Sequence, residues 1–237
     1  MTLPAAPPPA APPPAAPLPD AVVFDFDGLV LDTEWTSFES INAVFVAHGE
    51  ELPLELWIGF IGTTDHPHWS DILEARLGRP IDRDHWLPRR RADDFERARR
   101  LDLLPGVAEL LDALHGAGVR LGMASSSPGT WVLAHLAERG LDGYFEVVCH
   151  GGEVERTKPD PALYRLACER LGVPAARAVA IEDSLHGIAA AKAAGLVAVA
   201  VPGHLTAHLD HSAADLVVAS CAELSPGVLG ALVAATP

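Results

Sequence analysis

The chain has 237 residues, 49% of them hydrophobic, and a formal net charge of −15 at pH 7, enough to bury the core of one domain carrying an insertion, or of two small domains. That charge disfavours sequence-independent nucleic-acid binding, which needs clustered Lys and Arg against the phosphate backbone, and the longest apolar runs are strand-length, too short to cross a membrane. Cys149, Cys168 and Cys221 are odd in number, far apart and without a C-x-x-C pair, so they fit a reduced compartment and ordinary buried thiols better than a disulfide framework. A soluble, cytoplasmic protein with a small partner is expected.

Residues 1–19, MTLPAAPPPAAPPPAAPLP, lack the basic start and unbroken apolar stretch of a secretory signal. Their composition predicts a disordered or polyproline II tail with no catalytic role. From Asp20 onward short apolar runs alternate with helix-period segments, the pattern of βαβ units and a parallel sheet covered on both faces. The runs are 21–24, 119–124, a weaker one at 145–148, 178–181, 197–201 and 216–218. Pro105-Gly106 opens a helix whose Val107, Leu110, Leu111 and Leu114 form an apolar stripe and which Gly116 closes. Asp160-Pro161 opens another, with an Asp cap and Pro in the first turn, ended by Gly172 after Leu171. The stretch 34–102 breaks the alternation with helical segments and no clear strand. The expected organisation is an α/β core, 20–33 and 103–237, with a helical cap inserted after the first strand. An insertion at that point would lie over the carboxyl ends of the strands, where open α/β sheets bind ligands.

The polar clusters follow the apolar runs, which in a parallel sheet brings them to one edge. The first run leads into Asp25-Phe26-Asp27-Gly28; if the backbone stays extended, both carboxylates point to one side. The run 119–124 leads into Ser125-Ser126-Ser127, and 178–181 into Glu182-Asp183-Ser184, with Thr157-Lys158-Pro159-Asp160-Pro161 between. Four carboxylates at one spot would repel by roughly 4 kcal/mol per close pair at intermediate dielectric, so they need a cation or raised pKa values. An all-oxygen site suits Mg²⁺ better than zinc, with calcium as a lesser alternative. An EF-hand is ruled out, because Leu29 stands where its third Asp or Asn belongs and Thr36 where the closing Glu belongs. The chain has fifteen Arg and only two Lys, at 158 and 192, and an ammonium kept at 158 suits a phosphoryl oxygen or an attacking Asp. The serines, with Pro128 at a helix start, offer hydroxyls and N–H groups to an anion. One Asp would attack phosphorus while the other protonates the leaving oxygen and then activates water.

Together DFDGLVLDTE, the serines after a strand, the Lys-Pro pair and IEDS, in that order and with a helical insertion after the first, resemble the four motifs of the haloacid dehalogenase superfamily, and most closely its β-phosphoglucomutase-like small-cap phosphatases. The resemblance covers most of the chain from Asp20 to about Asp215. It implies a Rossmann-like core; Asp25 as nucleophile; Asp27 as acid/base, ligating magnesium through its carbonyl; Ser125 and Lys158 as phosphate holders; and Glu182 and Asp183 at the metal. Further substrate contacts are expected from Ser126, Gly28, Thr63 and Thr64.

The expected activity is Mg²⁺-dependent hydrolysis of a small phosphorylated metabolite, such as a sugar phosphate, by a monomer. A phosphonatase would need a cap lysine, and 34–102 has none. The alternatives are a β-phosphoglucomutase-type mutase and a non-catalytic phosphate-ligand module. Against the mutase, Ser37 aligns where that enzyme carries His, and Asp65 where it carries the Arg that holds a distal phosphate, which an Asp would repel. Asp32 and Thr33 are read as the cap hinge and the start of its first helix, a reading preferred to a substrate contact by Glu34. The Arg-rich segment 83–100, interleaved with acids, is read as a salt-bridged helix face, and the helical spacing of His204, His208 and His211 lacks the fourth ligand of a zinc site.

Overall fold

The computed structural model describes residues 18–236; most of the Ala/Pro-rich start, expected as a disordered tail, lies outside the described residues. Six parallel strands form one sheet in the order β3-β2-β1-β4-β5-β6. They are β1 (Ala21–Phe24), β2 (Arg120–Ser125), β3 (Val147–His150), β4 (Ala178–Glu182), β5 (Val197–Ala200) and β6 (Leu216–Val217). Helices α1 (Thr33–Ala47), α2 (Leu54–Ile58), α3 (Trp69–Leu77) and α4 (Arg83–Ala98) follow β1 in succession. The rest alternate with the strands: α5 (Val107–Gly116), α6 (Gly129–Glu138), α7 (Ala162–Leu171), α8 (Leu185–Ala194) and the closing α9 (Pro226–Ala235). Among the described residues no helix is long and apolar enough to cross a membrane.

The two-residue period of the strands sorts their side chains by size. Val22, Phe24, Leu121, Met123, Val179, Ile181, Val197 and Val199 fill one face, packed with residues of α5, α6 and α9 such as Leu110, Leu136 and Leu229. The opposite face carries Ala21, Val23, Ala124, Ala178, Ala180, Ala198 and Ala200 under α7 and α8. Nearly continuous apolar strands are what a sheet buried on both faces requires, and the small residues let α7 and α8 sit close.

Local signals set the helix ends. Gly172 ends α7 at φ 65°, the left-handed conformation that glycine adopts without a Cβ penalty. Asp160 accepts the Ala162 N–H at 3.0 Å just before that helix. Ser184 caps α8 by accepting the Gly187 N–H at 3.1 Å. Helices α1 to α4 bury a separate apolar cluster around Phe45, Trp57, Trp69 and Leu73, joined by Leu205 from the segment after β5. All six strands run the same way, so the loops after β1, β2, β3 and β4 emerge at one edge, beneath this helical unit.

Candidate active site

At that edge a buried ion cluster forms around Lys158. Its side chain, 0% exposed, comes from the loop between β3 and α7, and its ammonium donates to Asp25 Oδ1 and pairs with Glu182 Oε1 at 2.6 Å. The Tyr164 and Ser184 hydroxyls also donate to Glu182. Gly187 lies where a Cβ would run into the Glu182 carboxylate, so the small residue makes room for it. Asp183 is buried beside them, its carboxylate against Gly28 and its Oδ1 without a hydrogen-bond partner.

Asp25, Glu182 and Asp183 bring one oxygen each within 4.8 Å of one another. Against these three carboxylates stands one ammonium, so repulsion within the site is only partly offset. Burial, and after it the Glu182 charge, pushes Asp25 above the ordinary carboxylate range although Lys158 pulls the other way. Asp183 is raised strongly by burial, then by Asp25 and Glu182. Burial alone would lower Lys158, but Asp25 and Glu182 outweigh it and hold the ammonium above its usual value. An orphaned buried carboxylate oxygen beside two more carboxylates, all of them hard oxygen donors, fits a divalent cation of the magnesium or calcium kind.

Asp27 departs from the expectation that four carboxylates converge. β1 ends at Phe24 and the backbone turns at Gly28, φ 79°, so the extended geometry that would have aligned Asp25 and Asp27 does not persist. The Asp27 carboxylate instead collects four donors. Thr33 and Trp131 reach Oδ1 at 2.7 and 2.8 Å, and Ser125 and Ser127 reach Oδ2 at 3.2 and 2.7 Å. Ser125, expected as a phosphate holder, thus donates to Asp27 and accepts from the Ser127 N–H at 3.0 Å.

The other expected substrate contacts lie around the segment 59–65 that the helical unit sends down to the core. Ser126 donates to the Gly62 carbonyl at 3.0 Å. Thr64 and Thr157 share a hydroxyl contact at 2.8 Å, and His186 meets the Gly59 carbonyl at 3.3 Å. Thr63 and Thr64 both line a cavity above Asp27, as do Glu34 and Ser37. Asp65 is exposed and lies outside that lining. Part of the Arg-rich segment is salt-bridged as expected, with Arg83 to Asp71 and Glu74, Arg97 to Asp93 and Glu39, and Arg99 to Glu96 and Glu138. Arg90 differs: it turns inward to Asp94 at 2.8 Å and lines the cavity.

Sequence reasoning missed Trp131 and Tyr164, expected Ser127 to face an anion or cap a helix rather than to hold Asp27, read Thr33 as a helix start and expected no substrate contact from Glu34. Both donors stand at the start of α6, Ser127 just before its Pro128 cap and Trp131 in its first turn. Nothing local marks Tyr164. Glu34 stands at the cavity floor, raised strongly by burial and then by the Asp27 and Asp25 charges.

A family profile described as haloacid dehalogenase-like hydrolase matches residues 19–195. A Bacillus subtilis protein named "Putative phosphatase YhcW" is 39% identical over 209 residues, 88% of this chain and 95% of its own. A Thermotoga maritima protein named "Phosphorylated carbohydrates phosphatase" is 32% identical over 182 residues, 75% of this chain and 82% of its own. The crystal structure of CbbY from Rhodobacter sphaeroides in complex with phosphate superposes with a TM-score of 0.70 at 32% identity, covering 86% of this chain and 96% of that one. The profile spans the Asp25, Ser125, Lys158 and Asp183 segments in a single match, and the chain therefore belongs to the haloacid dehalogenase-like hydrolase family, as an enzyme of its phosphatase kind.

Proposed function

We propose that the protein is a magnesium-dependent phosphomonoesterase acting on a small phosphorylated metabolite of the carbohydrate-derived kind. The observation that carries this is the buried Asp25 carboxylate, paired with Lys158, flanked by Glu182 and Asp183, and two residues before an Asp27 held by four donors. The relative named for phosphorylated carbohydrates and a CbbY structure in complex with xylulose 1,5-bisphosphate support the substrate class.

Asp25, Glu182 and Asp183 would hold the magnesium ion, with Asp27 contributing its carbonyl. Bound there, the ion supplies positive charge to the phosphoryl oxygens and offsets the carboxylates. Asp25 attacks phosphorus while the bond to the ester oxygen breaks, and Asp27 gives that oxygen its proton, so an alcohol leaves and an aspartyl-phosphate remains. Asp27, now deprotonated, takes a proton from water; the water oxygen attacks phosphorus, phosphate leaves and Asp25 is restored. Lys158 holds Asp25 in place and neutralises charge on the transferring group. Ser125 and Ser126 offer the phosphate polar contacts beside it. Residues 34–102 act as a cap in this reading, supported by the Ser126–Gly62, Thr64–Thr157 and His186–Gly59 contacts. A monomeric catalyst is part of this reading.

The test is phosphate release from a panel of sugar phosphates, phosphorylated glycolytic acids and nucleotides, with and without EDTA, for wild type beside Asp25→Asn. Turnover that requires Mg²⁺ and vanishes in the variant is expected. Isomerisation of a glucose phosphate without phosphate release would indicate the mutase instead, and turnover by Asp25→Asn at the wild-type rate would remove Asp25 as nucleophile.

A further inference from the structure

Helices α1 to α4 do not close on a filled core. Ile41, Leu52, Trp57 and Trp69 are all buried in the apolar cluster of that unit, yet they also line a cavity of about 740 Å³ that runs down to Asp27, Thr33 and Glu34. Interiors normally pack with few voids larger than a water molecule. A cavity of this size is in the range that takes a drug-sized ligand rather than a bare phosphate, and apolar walls favour an apolar occupant over water.

The walls also indicate the occupant's shape and charge. Phe95 of α4 and Trp131 of α6 complete the aromatic lining above Asp27, their rings edge to face at 5.8 Å. Three of the polar side chains opposite are already engaged with one another. Arg90 donates to Asp94 at 2.8 Å and to the Ser40 hydroxyl at 3.1 Å, and Ser37 donates to Asp94 at 3.0 Å. Arg90 is thus already paired, Arg91 lies at the exposed rim, and the Asp27, Glu34 and Asp94 carboxylates in the lining would repel a second phosphate. Flat faces beside a closed polar network suit an uncharged ring that can stack.

We infer that the site selects phosphomonoesters whose leaving alcohol carries an uncharged, planar ring with apolar faces, the chemistry shared by nucleoside monophosphates and aryl phosphates, over sugar phosphates that carry no such ring. This rests on the phosphatase reading above; its nucleoside arm narrows the carbohydrate-derived substrate class and its aryl arm departs from it.

Two measurements test it. The first compares kcat/KM with Mg²⁺ for ribose 5-phosphate, uridine 5′-phosphate and 2-naphthyl phosphate. At least one ring-bearing ester is expected to exceed ribose 5-phosphate by about tenfold, the scale on which an apolar pocket discriminates. Whichever ring ester is favoured tells the nucleoside source from the aryl one. The second needs no turnover: uridine or 2-naphthol alone should quench tryptophan fluorescence saturably, because Trp57, Trp69 and Trp131 line the cavity, whereas ribose should not. In Leu87→Phe, whose larger ring takes up part of the void, the quench should require a several-fold higher concentration. Equal or better turnover of ribose 5-phosphate, no saturable quench by either ring alcohol, or a quench unchanged in Leu87→Phe each overturns the inference. If no ester is hydrolysed the phosphatase reading fails, and the fluorescence result still decides what the cavity takes.

Discussion

Four donors converge on the Asp27 carboxylate, and the Trp131 indole N–H is the one whose removal leaves a ring of similar shape behind. In Trp131→Phe the apolar contacts with Phe95 and His135 largely persist while one hydrogen bond to a carboxylate is lost, an interaction worth about 1.5–3 kcal/mol. Three donors remain, so the expected effect is the smaller end of that range: kcat lower by about tenfold with KM little changed, since the N–H orients the acid/base rather than gripping substrate. Steady-state kinetics on any turned-over ester would decide, and a KM rise at constant kcat would make Trp131 a binding residue only. The contrast with Asp25, Lys158 and Asp183 is instructive. Those three could be named from the sequence because each stands at a strand end or in a short motif whose type and place imply its chemistry. Trp131 meets its partner across 104 residues of chain, and only the sheet order, which sets β2 beside β1, makes them neighbours.

Gly62 shows how one element, the 59–65 segment, is fixed against the core. Its φ is +84° and a Cβ there would run into the Ser184 side chain, so Gly62→Ala must shift the segment away from α8 and loosen the Ser126 and Thr64 contacts. Gly49 is a control with the same backbone demand: its φ is +79°, but a Cβ there meets nothing within 4 Å. Each substitution carries the left-handed penalty of about 1–2 kcal/mol, so both should lower the unfolding midpoint, Gly62→Ala by more because of its clash. Only Gly62→Ala should reduce kcat/KM, by about tenfold or more. Equal activity in both variants would mean that the segment does not need this close approach. Element identity was legible wherever side-chain period and end signals agreed, as in α5, α7, β1 and β4. It slipped at β3, expected over 145–148 and found at Val147–His150. The ladder pairs Gly122 with Val147 and Ser125 with His150, while Phe145 leaves the strand to pack edge to face on Phe24, 6.0 Å between centroids. Pairing with a neighbour outweighed the local apolar run.

For the molecule as a whole, the unequal burial of its carboxylates couples folding to pH and to the cation. Asp25, Asp183 and Glu34 are all raised above the ordinary carboxylate range, each first by burial and then by neighbouring carboxylates. Between about pH 4, where such groups titrate in an unfolded chain, and their higher folded values, the folded protein binds more protons than the unfolded one. Stability without metal must therefore fall as pH rises through that window. A divalent cation displaces those same protons and binds only the folded site, adding stability by mass action. Its effect should grow with pH as proton competition fades. In EDTA the thermal midpoint is expected to drop from mildly acidic to mildly alkaline pH. Millimolar Mg²⁺ should restore it at the alkaline end by about 2–4 °C for each kcal/mol gained and do much less at the acidic end. Calorimetry across the two conditions reads this directly. A midpoint in EDTA that rises with pH, or a magnesium shift just as large in acid, would mean that the buried carboxylates stay ionised without help and that the cluster around Lys158 is balanced as it stands.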